Sequence, residues 1–303
     1  MIYENWMEYI KDEVKLCQAV IPSAHNAGSY GMKKIGKCQN HGFYKQFQYG
    51  IRHFCVRLDT DKKGNIVLCH GITKGDLFEN ALKDWQKMIE SSNEFFIFDV
   101  REYYPQKVIG KWTLRYHADS KKVDELLEKY IMPSKYAYTD CKDISALTMG
   151  DIRKSGKRFI LLNYREEYGG SVNCEHIIPW DKTIYGSKAE EFSKRALEIF
   201  DMFQTNGLYW FQTQQTPNIG TKIGFRFPEY LDKRLRPIYY KIIEGIANNS
   251  EYLSKANIIS GDFMTEDYLK VRPILILNVL KNNVTEGREA EYVKGLWSGS
   301  YES

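Results

Sequence analysis

An α/β protein, folded as a single distorted TIM-type (β/α) barrel over residues 1–303, is the architecture this sequence predicts. Three observations lead there. Short apolar runs recur along the chain with helical patterns between them. Several of these runs, such as FFIFDV and RFILLN, are apolar almost throughout, as strands covered on both faces are. No Gly/Ser linker, low-complexity tract or internal repeat divides the 303 residues. A doubly wound open sheet is the other arrangement that the same alternation permits, because pattern alone does not count eight strands.

The apolar runs place strands at Cys17–Ile21, Phe54–Leu58, Ile66–Cys69, Glu94–Val100, Arg158–Tyr164, Leu208–Thr213 and Asn257–Gly261. DTDKKGN, Asp59–Asn65, reads as the loop of a hairpin joining the second and third of these. Helical periodicity runs over Asp76–Ser92, with Leu77, Leu82, Trp85, Met88 and Ile89 on one face and Asp76 as N-cap. Val123–Ile131, Ser187–Phe203 and Pro228–Asn248 carry similar patterns.

Composition narrows the function. Hydrophobic residues make up 43% and charged residues 27% of the chain, which is ordinary for a globular protein. A net charge of +4 is too small to indicate nucleic acid. The pairs Lys33-Lys34, Lys62-Lys63 and Lys121-Lys122 read as solvated faces with a weak attraction for anionic lipid. The 22 tyrosines suit a sugar cleft, a membrane interface or a core with polar handles. None of the six cysteines forms a C-x-x-C pair, so reduced thiols are expected rather than a zinc knuckle. The first residues, MIYENW, lack the basic and apolar regions of a signal peptide, and no run approaches a membrane-spanning length.

In a barrel of this kind, chemistry collects where the strands end. The polar residues just after the apolar runs are His25 and Asn26, Arg57 and Asp59, His70, Asp99 with Arg101 and Glu102, Asn163 with Arg165, Gln212 with Gln214, and Asp262. Two imidazoles and a guanidinium form a known solution to phosphodiester cleavage. A neutral His removes a proton from the attacking hydroxyl, a protonated His supplies one to the leaving oxygen, and Arg neutralises the charge growing on the non-bridging oxygens.

IPSAHNAGSYG (21–31), QYGIRHFCVRLD (48–59) and IVLCHG (66–71) stand in order as His, Gly-x-Arg-x-Phe-x-x-Arg and His-Gly. In this the chain resembles the X domain of phosphatidylinositol-specific phospholipases C. The likeness is greatest to the metal-independent branch, which includes bacterial enzymes and protozoan enzymes that cleave glycosylphosphatidylinositol anchors. AHNAG, KCQN, FDVREYY and YWFQTQQTP resemble the protozoan and other small eukaryotic forms. The resemblance is densest over residues 17–104 and returns at 208–217 and 256–264.

The resemblance implies His25 as general base toward the inositol 2-hydroxyl and His70 as general acid toward the diacylglycerol oxygen. It further implies Arg57 on the phosphate and Asp262 holding the His25 tautomer. Asn26, Arg101, Arg165, Tyr209 and Gln212 become candidates for the substrate headgroup. It implies no cofactor. Cys55 and Arg57 stand where the calcium-dependent branch carries carboxylates, so a fixed cation replaces the bound one. Two positions depart from the pattern: Asn26 stands where bacterial relatives carry Asp, and Cys55 where an acidic residue is usual. The resemblance implies a monomer, secreted or peripheral on a membrane, cleaving inositol phospholipid or glycosylated anchor to diacylglycerol and inositol 1,2-cyclic phosphate. Two other readings stay open on the same residues: a metal-dependent glycerophosphodiesterase- or sphingomyelinase-like barrel, and a non-catalytic module that binds inositol lipid.

Overall fold

The computed structural model describes residues 2–71, 73–101, 107–109, 112–114, 118–140, 143–162, 164, 168–172, 176–178, 188–217, 227–266 and 268–298, and omits the side chains of 101, 107–109, 112–114 and 176. Twelve strands are seen among them: β1 Ile21–Ala24, β2 His53–Thr60, β3 Ile66–His70, β4 Thr73–Leu77, β5 Phe96–Arg101, β6 Lys107–Ile109, β7 Trp112–Leu114, β8 Phe159–Leu162, β9 Ser171–Val172, β10 His176–Ile177, β11 Leu208–Gln212 and β12 Ile258–Gly261. Eight of them form a curled parallel sheet in the order β10-β11-β12-β1-β2-β5-β8-β9, and β3 and β4 extend β2 as an antiparallel flap. The expected α/β barrel is present as a curled half-barrel.

Strand faces follow the two-residue alternation. Phe54 and Phe98 point outward, where Phe98 stacks on Trp85 of the Phe78–Ser91 helix at 4.1 Å and Phe54 meets Phe43 of the Phe43–Gln48 helix. His53, Cys55, Arg57 and Asp59 take the other parity of β2. That parity faces the barrel interior, because the rings of His53 and of Trp210, on non-adjacent strands, lie 4.8 Å apart.

Three sequence expectations shift. The first strand starts at Ile21 instead of ending there, and it includes Pro22. Proline is tolerated because pairing with β2 begins only at Ser23, opposite His53; Pro22 still accepts through its carbonyl from the backbone N–H of Arg52. Asp76 falls in β4, one residue before the actual N-cap Leu77, and its carboxylate accepts from the Leu77 N–H and the Asn80 amide. The expected helix Pro228–Asn248 is three pieces: helices at Pro228–Leu235 and Tyr239–Ala247 flank a 3-10 turn at Arg236–Ile238. Pro237 lacks the N–H that a continuous helix needs there.

The end of the barrel away from the strand termini is closed by the N-terminal segment. Arg52, fully buried just before β2, donates to Glu94 Oε2 from Nε at 2.8 Å and to the carbonyls of Tyr3, Phe47 and Ile51. Its guanidinium lies 4.8 Å from the Phe47 ring centroid. Burial pushes the Glu94 carboxyl up, and Arg52 opposes the shift. Removing one partner leaves the other charge buried alone. Glu94→Ala is therefore expected to lower stability by about 3–5 kcal/mol in urea denaturation, and a loss below about 1 kcal/mol contradicts this account.

Candidate active site

β1 and β12 run side by side and in register, Ala24 opposite Gly261. The residues that leave their ends, His25 and Asp262, are thereby placed next to each other. His25 Nδ1 and Asp262 Oδ1 are 2.7 Å apart, and both side chains are buried. Asn26 Nδ2 donates to His25 Nε2 at 3.0 Å. The ring therefore carries its proton on Nδ1, directed at the carboxylate, and its lone pair on Nε2.

The small residues after β1 have a steric cause. Asn26 takes a left-handed conformation (φ 44°), which Asn tolerates better than most residues. A Cβ on Gly28 would come 2.7 Å from Leu68 Cδ2, so only glycine lets this turn lie on β3. β3 ends in His70. The His25 and His70 rings consequently face each other edge to face, with centroids 6.0 Å apart and planes at 84°. His70 Nδ1 meets the Gly36 carbonyl at 2.9 Å and the Cys38 thiol at 3.6 Å.

Glutamines and a lysine that sequence reading passed over hold these loops. Gln39 Nε2 donates to the carbonyls of both His25 and Gly261, and its oxygen accepts from the Met264 N–H. Gln46 ties Ala27 to His41. Lys270, buried, donates to the Asp262 carbonyl and to the Asp232 carboxylate, which also pairs with Arg236 at 2.6 Å. KCQN in the sequence marked Gln39 only as part of a resemblance; Asp232 lies in a helical pattern and Lys270 in an unassigned stretch, with nothing local to distinguish them.

Arg57 lies on the interior face of β2 near its end. Its charge bears on the thiols of both Cys38 and Cys69, which places it beside the histidine pair. Burial nevertheless dominates at those cysteines: Cys38 is held well above the ordinary thiol range, and Cys69 is pushed up to about 12. Burial likewise raises the Asp262 carboxyl, with His25 opposing. Cys55 is fully buried, and its neighbour across the β2–β5 ladder is Asp99, a carboxylate on the same interior face. Asp99 Oδ2 lies 3.7 Å from His53 Nε2, while His53 Nδ1 meets Ser23 Oγ at 2.6 Å. Beneath the mouth there is thus a second buried polar layer. Asp59, one turn of the alternation beyond Arg57, pairs with Lys74 at 2.7 Å.

The remaining candidates divide. Gln212 ends β11 opposite Ser260, two residues short of Asp262, and accepts from Gln214 Nε2 at 2.8 Å. Arg101 ends β5 opposite Arg57 in the ladder, but its side chain lies outside the described residues. Arg165, Glu102 and Asn163 also lie outside them. Tyr209 needs correction as a headgroup contact. It has the opposite parity to Trp210 and Gln212, its ring packs on Phe200, and its hydroxyl donates to the Phe200 carbonyl. It lines a cavity of about 660 Å³ with Lys15, Cys17 and Gln18, at the end of the barrel where strands begin.

The residues thus set a His–Asp pair facing a second His at the mouth of an open parallel barrel, with Arg57 on the interior face of a neighbouring strand. No family model matches the sequence, and no curated protein matches it. Solved structures do. The phosphatidylinositol-specific phospholipase C from Listeria monocytogenes superposes with a TM-score of 0.62 at 17% identity, covering 91% of this chain and 98% of that one. A double mutant of the enzyme of the same description from Staphylococcus aureus superposes at 0.61 and 16% identity, covering 94% and 98%. The chain has the fold of the bacterial phosphatidylinositol-specific phospholipases C and resembles that family along nearly its whole length.

The His25 tautomer depends on the carboxylate. An amide at 262 can present either an acceptor or a donor to Nδ1, while relieving a buried charge. Asp262→Asn is expected to leave the urea midpoint at or above that of wild type and to shift His25 toward the Nε2–H form. Long-range 1H–15N spectra of the imidazole read the tautomer; an unaltered Nδ1–H ring in the variant contradicts this role.

Proposed function

We propose that the protein is a metal-independent phospholipase C acting on phosphatidylinositol, or on the inositol of a glycosylated lipid anchor, and that residues 1–303 form one catalytic barrel. The observation that carries this reading is the pair of facing imidazoles, one of them oriented by a buried carboxylate. The inositol 2-hydroxyl replaces the Asn26 amide at His25 Nε2 and gives up its proton there as its oxygen attacks phosphorus. Asp262 accepts the Nδ1–H bond and stabilises the imidazolium that forms. His70, whose Nδ1 is directed at the Gly36 carbonyl, delivers a proton from Nε2 to the departing diacylglycerol oxygen. Arg57 forks to the non-bridging oxygens. Because nucleophile and phosphate belong to one molecule, attack is intramolecular and closes a five-membered 1,2-cyclic phosphate. Water can then open that ring with the two histidines exchanging roles.

Metal independence follows in this reading from the cation fixed at Arg57 and from Cys55, which offers no hard oxygen for calcium. Asp99 supplies, from the neighbouring strand, the carboxylate missing at 55. The substrate demands a lipid surface, and the lysine pairs suit peripheral attachment as a monomer. Among the described residues, no helix is long and apolar enough to cross a membrane.

Phosphorus NMR of phosphatidylinositol vesicles incubated with the protein and excess EDTA is expected to show the cyclic phosphate before any acyclic monoester. His25→Ala and His70→Ala are each expected to lower the rate by about 10²–10⁴-fold with the fold intact, and Arg57→Ala by about 10²–10³-fold. Full activity in either histidine variant, or abolition by EDTA, sinks the proposal.

A further inference from the structure

Cys38 has no part in the mechanism above, yet its thiol sits among the reagents. Its Sγ lies 3.6 Å from His70 Nδ1 and 3.9 Å from Asn26 Nδ2. A ring nitrogen of His25, the Cys38 sulfur and a carboxylate oxygen of Asp262 all fall within 4.8 Å of one another. A second observation points the same way. The side-chain oxygen of Asn26, in a side chain almost wholly buried, has no hydrogen-bond partner among the described residues. A half-turn of that amide exchanges its two ends and lets the oxygen accept from a proton on His25 Nε2, the tautomer that an ion at Nδ1 requires.

We propose that the mouth of the barrel binds one thiophilic divalent ion, of which Zn2+ is the type, between His25, Cys38 and Asp262, and that the bound ion switches the enzyme off. The donor set is one imidazole through Nδ1, one thiolate and one carboxylate, with a water in fourth place. It matches the nitrogen, sulfur and oxygen ligands that tetrahedral zinc takes. In such a site donor atoms stand roughly 3.5 Å apart, so His25 Nδ1 and Asp262 Oδ1, now 2.7 Å apart, open around the ion while the Cys38 sulfur moves in. Rotation of the Cys38 side chain can supply that movement. Calcium and magnesium want six or more hard oxygens, and the cluster offers too few. On binding, the thiol proton passes to solvent as the Zn–S bond forms, and the Nδ1 proton moves by way of solvent to Nε2 as the Zn–N bond forms. The ion then holds the orienting carboxylate, and the proton on Nε2 removes the lone pair on which the base depends. The binding claim stands on this geometry alone; the inhibition claim rests on the catalytic reading of His25.

Cobalt titration of the purified full-length protein tests the site without reference to activity. Co2+ is expected to bind with one-to-one stoichiometry, giving the near-ultraviolet thiolate charge-transfer band and the intense visible bands of a tetrahedral site, both bleached by one equivalent of Zn2+. Cys38→Ser is expected to lose the charge-transfer band and to weaken Zn2+ binding by at least ~100-fold, beyond what loss of an outer partner costs a metal site. Cys17→Ser, at the other end of the barrel, keeps both. Zn2+ inhibition of lipid cleavage, each variant taken relative to its own metal-free rate, is expected to move in parallel. Absence of one-to-one binding in wild type, or a charge-transfer band that survives Cys38→Ser, overturns the site. Stoichiometric binding with undiminished turnover overturns the switch. A protein that binds the ion through Cys38 but cleaves no inositol lipid supports the site and refutes only the catalytic reading.

Discussion

The contact between His25 and Asp262 is the constraint on which the site depends, and it exists because the first and last strands of the sheet are neighbours. The two residues are 237 positions apart in sequence. Parallel pairing of β1 with β12 brings them together, with Ile21 opposite Ile258 and Ala24 opposite Gly261. A slip of one residue would turn His25 to the wrong face and break the contact. The register is secured by polar groups that bridge the two strands. Asn257 donates to the carbonyls of Leu16 and Ala19 below, and Gln39 binds the carbonyls of His25 and Gly261 above. Each bridge is buried, so leaving it unmade would strand a polar group without water.

Legibility in the sequence tracks how local each signal is. His25, Arg57 and His70 were readable because each stands at the end of a short apolar run, and a parallel barrel gathers strand ends at one mouth. Asp262 was readable only as an apolar run ending in an acid; its partner came from the fold. Tyr209 was misplaced because Tyr209, Trp210 and Phe211 are all large and aromatic, so alternation gave no parity. The structure assigns the interior to Trp210 and Gln212 and sends Tyr209 to the helix layer. Lys270 and Asp232 were invisible for another reason. Charged residues ordinarily face solvent, and only the packed fold makes a buried pair of these two. β4, whose sequence TKGDL has no apolar alternation, forms because it completes the edge of the flap beyond β3.

The departures at 26 and 55 acquire a common physical sense. A carboxylate beside His25 would add negative charge to a site where Asp262 is already disfavoured by burial. An amide at 26 adds none, and it can donate to the ring nitrogen that a second carboxylate would only repel as a lone pair. At position 55 the cysteine faces a carboxylate on the next strand. Asp99 lies opposite Cys55 in the ladder and takes His53 as a near neighbour. The negative charge of this layer therefore lies on β5, toward the floor of the mouth, while Arg57 lies nearer the strand ends.

Two buried carboxylates at the mouth, Asp262 and Asp99, oppose folding, since each must be desolvated and then satisfied by partners at good geometry. The compensation is spatially separate. Phe43, Phe54, Trp85, Phe96 and Phe98 form an aromatic shell on the outer faces of β2 and β5, and apolar burial of that kind is the dominant favourable contribution to folding. Polar residues occupy the inward parity of the same strands. One strand therefore serves both needs through its two-residue alternation: Phe54 and Val56 anchor the sheet to its helices, and Cys55 and Arg57 face the chemistry. A substitution on the outer parity of β2 acts on stability, and one on the inner parity acts on the site, even though the two positions are adjacent in sequence.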